Sequence, residues 1–362
     1  GDSIHVYDGD ENLLASLTNS VGGSQSFVVT TPSCITATYV DDDLYGQGNL
    51  YEIWGPGGNK LFEDEAPFAP FGYTNCEGFP TSNGDSEGVC DEWTATWSDM
   101  SEGTWSGDIA TCDPGDISPD GRANALAHIN LYRWLVGLSP VSTDPTLDAY
   151  AQQCALILDA NNAWSHDPPP DWACYTEDGA MAAGSSLVTV FPGVLSIYAG
   201  FIVDAGDNNQ GSLGHRRRLL SNTLGPIGIG TTGVDGATCL WTHGGTGGPG
   251  NPWTAWPPPG PVPVDVFKPG IWKGDDGINQ TGWSVQSSVI DLASAQVVVA
   301  SQGANLPITT RSLGTISEEQ ALAFVPDGWT PQANTTYTVS ITGITPPIEY
   351  DIEVVDCGQF SP

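Results

Sequence analysis

The sequence predicts an α+β protein of three domains, a central one of helices followed by strands in an αβα layering and a β-sandwich on each side of it. Three observations carry that prediction. Two stretches with apolar residues at helical spacing open on Ser118–Pro119 and Asp144–Pro145, where a capping side chain precedes a proline at the first helical position. Before and after them, β-branched and aromatic residues alternate between clusters of Gly, Asn and Asp, as in Leu50–Tyr51–Glu52–Ile53–Trp54 followed by Gly55–Pro56–Gly57–Gly58, the grammar of strands and turns. Trp256–Pro257–Pro258–Pro259–Gly260–Pro261 is stiff and polyproline-like and reads as a linker. The domains so delimited run 1–113, 114–257 and 258–362, and a chain of 362 residues is longer than single cores usually grow.

In the first domain, Ser26–Phe27–Val28–Val29–Thr30–Thr31 and Leu50–Trp54 are strands, and the stretch from Trp93–Thr94–Ala95–Thr96–Trp97 to Thr104–Ile109 is a hairpin closed by a Cys90–Cys112 disulfide. Tyr7–Asp8–Gly9 with the later Asp41–Asp42–Asp43 is loosely similar to CUB-like secreted modules. In the central domain, Ala123, Ala127, Leu131, Trp134, Leu135 and Leu138 form the apolar face of a first helix that stops at Gly137, and Leu147, Tyr150, Ala151, Cys154 and Leu158 form that of a second. Gly214–Leu220 is a further helix, and Ile227–Thr232 and Thr238–Thr242 are strands. In the last domain, Ala295–Ala300, Thr336–Ile341 and Tyr350–Val355 are strands at a spacing that fits an immunoglobulin-like sandwich. Asn279 and Asn334 open the tripeptides of N-glycosylation acceptors.

Only 9 Lys and Arg stand against 43 Asp and Glu, a formal charge of −34. Such a field repels phosphate backbones and anionic membrane surfaces, so nucleic acid is excluded as a partner. The acidity favours solubility and loose capture of Ca²⁺ in acidic loops. The uncharged stretch Ala180–Val203 is about as long as a membrane span, but it contains Gly184, Pro192, Gly193 and Gly200 and is bracketed by Asp178 and Asp204 without a basic flank. It reads as a buried core segment. No charged and then apolar leader opens the chain, and Gly1 reads as a mature start.

The eight cysteines, Cys34, Cys76, Cys90, Cys112, Cys154, Cys174, Cys239 and Cys357, are even in number and contain no CxxC pair. They read as four disulfides formed in an oxidising compartment. Proximity within the domains pairs them as Cys34–Cys76, Cys90–Cys112, Cys154–Cys174 and Cys239–Cys357.

Motifs of known chemistry are absent from the sequence: there is no HExxH, no GxSxG and no phosphate loop. Gly228–Gly233 matches GxGxxG, but Val234–Asp235–Gly236 follows where a dinucleotide fold would start a helix. Of the five histidines, His5, His128 and His243 read as structural, whereas His166 lies in Trp164–Ser165–His166–Asp167 and His215 in Gly214–His215–Arg216–Arg217–Arg218. Asn130–Leu131–Tyr132–Arg133, the second helix, Ser-His, Gly-His-Arg-Arg and Gly225–Pro226–Ile227–Gly228–Ile229–Gly230 follow one another in an order that resembles the CAP superfamily, of the SCP-like and bacterial type, over about Pro114–Pro257.

That resemblance implies a cleft in which His166 and His215 converge with two acidic residues and in which some members hold a divalent metal such as Zn²⁺. This sequence departs from the family where Gly184–Ser185–Ser186–Leu187 replaces the usual Gly-Glu-Asn. Asp204 is the substitute for the second acid, and Glu177 or Asp178 for the first; Glu177, Ser185 and Arg216 form the candidate binding set. Arg216–Arg218 hold three of the nine basic residues and read as internal partners of carboxylates or helix ends, with anion binding as the other reading. The function so implied is that of a secreted or cell-surface protein acting by binding a surface, lipid or glycan ligand. Two other classes stay open, a self-assembling subunit of an extracellular filament or surface layer, and a metal-assisted hydrolase with His166, His215 and Asp204 as catalytic residues.

Overall fold

The computed structural model describes residues 86–358 except 207–208, 210, 235, 246–250, 269–276 and 317–318, and before residue 86 only the backbone of six strands. The chain divides into two compact units, residues 1–81 with 248–250, and residues 82–247 with 251–362. In the first unit, β1 (Ser3–Asp8), β2 (Leu13–Thr18), β3 (Ile35–Val40) and β6 (Gly72–Asn75) form an antiparallel sheet ordered β2-β1-β3-β6, and β4 (Asn49–Trp54) pairs with β5 (Lys60–Ala66). The expected strand at 26–31, the acidic run 41–43, and Cys34 and Cys76 lie outside the described residues.

The second unit opens with α1 (Ser86–Trp97), where a hairpin was expected. The β-branched and aromatic residues of 93–97 suggest a strand, yet Val89, Trp93 and Trp97 are the buried ones, and their four-residue spacing is that of a helix face. α2 (Pro119–Leu135) and α3 (Pro145–Asn161) begin at the predicted Ser-Pro and Asp-Pro. Asp144 accepts hydrogen bonds from the amides of Thr146 and Leu147, so the N-terminus of α3 is capped as its sequence demands.

α4 (Glu177–Ser185) runs into β7 (Ser186–Thr189), and a short α5 (Gly193–Leu195) continues as a π-helical stretch, Ser196–Ile202. The uncharged segment is therefore cut into three short elements. Most of its apolar side chains are buried, and among the described residues no helix is long and apolar enough to cross a membrane. α6 (Gly214–Leu219) follows, then β8 (Gly228–Thr231) and β9 (Thr238–Trp241), which complete a sheet ordered β7-β9-β8.

Alternation along these strands sorts the layers. Val188 and Cys239 face α3 and α4, in a cluster with Ala151, Ala155, Leu158, Ala182 and Ala183. Leu187, Ile229 and Leu240 face the other way, into a cluster with Ile129 and Tyr132 of α2 and Ile197 and Phe201 of the π-helical stretch. Helices thus cover both faces of the sheet, the αβα layering read from the sequence.

β8 is built to receive α3. A Cβ at Gly228 would lie 2.3 Å from the Leu147 carbonyl carbon, and one at Gly230 would lie 2.2 Å from that of Ala151. The strand's edge is then hydrogen-bonded by helix side chains one turn apart: Asp148 Oδ1 accepts from the Ile229 amide at 2.7 Å, and Gln152 exchanges bonds with both main-chain groups of Thr231. This is the physical reason for the repeated glycines of the GxGxxG match. No helix follows them.

The remainder forms two sheets. β10 (Thr254–Trp256), β12 (Trp283–Ser287), β16 (Glu319–Pro326) and β15 (Ile308–Ile316) make one; β11 (Gly260–Pro263), β18 (Ile348–Val355), β17 (Thr335–Thr342), β13 (Gln296–Ser301) and β14 (Ala304–Leu306) make the other. They share a core in which Trp283 stands edge-on to Tyr337. The expected linker at 256–261 is instead parts of β10 and β11, because its Trp256 is buried edge-on against Tyr132 of α2. Trp253 likewise packs on Tyr350. α7 (Ile278–Thr281) holds Asn279 buried, its amide donating to the Phe267 carbonyl and accepting from the Trp283 indole, so this asparagine is closed to glycosylation in the folded chain; Asn334 sits on an exposed turn.

The disulfides correct the expected pairing. Cys90 pairs with Cys357, Cys112 with Cys174 and Cys154 with Cys239. Cys239 lies on a strand whose inner face meets α3, and Cys90 on a helix rather than a hairpin, so the partners are set by tertiary packing and not by nearness in sequence.

Candidate functional site

At the C-terminus of α4 the backbone carbonyls run short of helical donors, and that of Ala183 accepts from the Ser186 amide at the cap. Histidines supply two of them. His166, from the loop after α3, places Nδ1 2.9 Å from the Ala183 carbonyl, and His243, just beyond β9, places Nδ1 2.7 Å from the Ser185 carbonyl, which also accepts from the Thr242 amide. A carbonyl can only accept, so both rings carry a proton on Nδ1 and keep Nε2 for other partners. The two rings straddle Gly184, at the segment where the family's Gly-Glu-Asn is replaced.

The loop bearing His166 is fixed by Asn161, whose side chain bonds both main-chain groups of Ala173, and by the Cys112–Cys174 disulfide. His166 itself is exposed, as is Trp164 two residues before it.

His215 has surroundings of its own. Asp204, fully buried, accepts from the amides of His215 and Arg216 through Oδ2, and its Oδ1 lies 3.0 Å from His215 Nδ1. One carboxylate therefore caps α6 and positions the imidazole, which stands edge-on against Phe201. Asp204, read from the sequence as the substitute for the second acid, lies beside His215. Glu177 and Asp178 are exposed in the first turn of α4, roughly 9 and 7.5 Å along the axis from Ala183.

Arg216 is buried, and its five N–H donors go to the carbonyls of Ile202, Val203 and Gly282 and the hydroxyls of Thr281 and Ser284. None is left for a ligand. Arg217 likewise serves the carbonyls of Ser212, Leu313, Gly314 and Glu319. Burial lowers both guanidinium pKa values to about 10. These arginines tie α6 to the sheet of β12, β15 and β16, through carbonyls more than through the carboxylates expected.

Arg218, for which the sequence left anion binding open, and His243, read there as structural, come together. Arg218 and His243 line one cavity of about 120 Å³, together with Ser221, Thr223, Thr242 and Gly244. The only local signal for His243 was its place just past a strand end. His128, read as structural, is buried edge-on to Trp97 with Nε2 3.0 Å from the Asp99 carbonyl, and burial lowers its pKa.

Among the described residues no three of His, Cys, Asp and Glu come together in a set able to hold a metal ion. His166 and His215 with Asp204 form no such group. A model of the CAP family, the cysteine-rich secretory protein family, matches residues 126–240. No curated protein and no solved structure matches the chain.

Proposed function

Residues 126–240 are a domain of the CAP family, and on that premise we propose that the chain acts outside the cell by binding a surface, lipid or glycan ligand at the face of the domain that carries His166 and His215. Three disulfides among the described residues support an oxidising, extracellular setting. The observation that carries the reading is that both imidazoles have Nδ1 turned to an internal acceptor, hydrogen-bonded to the Ala183 carbonyl in His166 and 3.0 Å from Asp204 Oδ1, without an aligned hydrogen bond, in His215, which orients the rings and leaves Nε2 to a ligand. Exposed Trp164 beside His166 adds a flat apolar surface of the kind that stacks on sugar rings. The two-sheet segment after residue 251, as an immunoglobulin-like module, and the β-rich N-terminal segment, as a CUB-like one, serve as adhesive or spacer parts.

The test is retention of the purified chain on insoluble polysaccharides and flotation with phosphatidylcholine vesicles. Retention by at least one of these is expected, weakened about tenfold or more in His166→Ala/His215→Ala at unchanged thermal stability. Equal retention of the double variant sinks the reading.

A second reading is favoured by one observation, the buried Asp204 behind His215, an arrangement that can hold an imidazole as general base. Ester or amide hydrolysis lost in both His215→Ala and Asp204→Asn would replace binding by catalysis.

A further inference from the structure

We propose that the cavity between α6 and the end of β9 is a binding site for one small oxyanion, a sulfate or a carboxylate, either free or carried on an acidic sugar. The cavity of about 120 Å³ is lined by Arg218, Ser221, Thr223, Thr242, His243 and Gly244. A water takes roughly 30 Å³ of liquid, so the space suits about four waters or one oxyanion with its hydrogen-bond partners.

The wall supplies what an oxyanion needs. Arg218 is half-buried, and a guanidinium offers a planar fork of donors that matches a carboxylate or sulfate edge. The hydroxyls of Ser221 and Thr223 are hydrogen-bonded to one another at 3.1 Å and Ser221 also bonds the Glu319 carboxyl, so of the two it is Thr223 that can turn its proton toward a guest. The Thr242 hydroxyl, buried, has no hydrogen-bond partner among the described residues. His243 keeps Nδ1 on the Ser185 carbonyl, so a second proton on the ring would sit on Nε2 as a further donor.

Charge makes the site selective. The lining residues include no Asp or Glu, in a chain with 43 of them. The Glu319 carboxyl is hydrogen-bonded to the lining Ser221 and to the Asn222 main chain, and burial pushes its pKa up to about 7, so its charge is partly suppressed near neutral pH. The molecule's overall field repels anions. Capture therefore depends on the short-range contacts of this wall and not on steering, and polyanions are disfavoured relative to a single charged group.

This site is distinct from the face proposed for the ligand above, because it uses neither His166 nor His215. Isothermal titration of the full chain with sodium sulfate, sodium acetate and sodium glucuronate at constant ionic strength tests it. Saturable one-to-one binding is expected, with glucuronate tighter than acetate if the group is carried on a sugar and sulfate or acetate equal to it if bound free.

The decisive comparison uses Gly244, whose added Cβ would meet nothing within 4 Å although its φ is +87°. Gly244→Asn and Gly244→Asp bear the same backbone strain and differ in charge alone. Gly244→Asp is expected to bind at least about tenfold more weakly than Gly244→Asn, since a like charge in a partly desolvated wall acts at short range. Arg218→Gln is expected to match the loss seen with Asp. Absence of saturable binding by the parent, or equal binding by the Asn and Asp variants, overturns the proposal.

Discussion

Glu319 shows how one side chain can set the response of a whole fold to pH. It is buried at the start of β16, its Oε2 accepts from Gln286 at 2.8 Å, and the same glutamine amide also reaches the carbonyls of Arg217 and Leu220. Burial outweighs the nearby Arg217 and Arg133 and lifts its pKa from an ordinary 4.5 to about 7. A carboxyl with a raised pKa binds its proton more tightly in the folded than in the unfolded state. Its contribution is therefore most favourable below about pH 4.5, and stability falls as pH rises from there through about 7. The shift corresponds to on the order of 3 kcal/mol over that window. Urea unfolding at pH 5 and pH 8 should show the parent losing that much more stability than Glu319→Gln, in which no proton is exchanged. Parallel pH dependence in the two proteins would contradict it.

The contact between α3 and β8 is where local pattern and tertiary packing can be told apart. Helix starts at Ser118–Pro119 and Asp144–Pro145 were legible because a cap and a proline act on their own neighbours. The αβα layering was legible for a similar reason, since strand alternation declares two faces. α1 was not read, because Trp93–Trp97 satisfies strand composition and the helical spacing shows only when Val89 is included. The disulfide partners and the meeting of His243 with Arg218 were illegible, since each depends on which elements meet. Gly230 makes the point quantitative. Its missing Cβ admits the α3 backbone, and Gln152 then bonds Thr231 in place of a neighbouring strand. Gly230→Ala must push the helix away and strain both bonds, at a cost of about 3 kcal/mol or more. Gly233→Ala, in a turn at positive φ with its nearest contact at 3.7 Å, should cost less despite its backbone strain. Thermal unfolding of the two variants checks that order, and a larger loss at Gly233 would mean that turn conformation and not helix approach governs this corner.

At the scale of the second unit, one core runs from α1 to β18. Val89, Trp93 and Trp97 belong to the same cluster as Tyr132, Trp256, Trp283, Tyr337 and Ile352. The arginines of α6 add polar ties between the helical layers and the sheet that contains β12. The Cys90–Cys357 disulfide joins the first helix of this unit to the segment after its last strand, across a sequence separation of 267. Closing so long a loop removes chain entropy from the unfolded state worth on the order of 5 kcal/mol, if no other link already restricts it. The Cys112–Cys174 and Cys154–Cys239 bridges lie inside that loop and shorten its free length, so the realised effect is smaller, about 3 kcal/mol. Because α1 is part of the common core, the loss should spread over the unit and not merely fray one end. Cys90→Ala/Cys357→Ala is therefore expected to unfold in a single transition at lower temperature, with protection of α1 amides from hydrogen exchange reduced in step with that of β17 and β18. Early exchange of α1 alone, with the sheets unchanged, would show that the bridge holds a docked helix onto an already complete core.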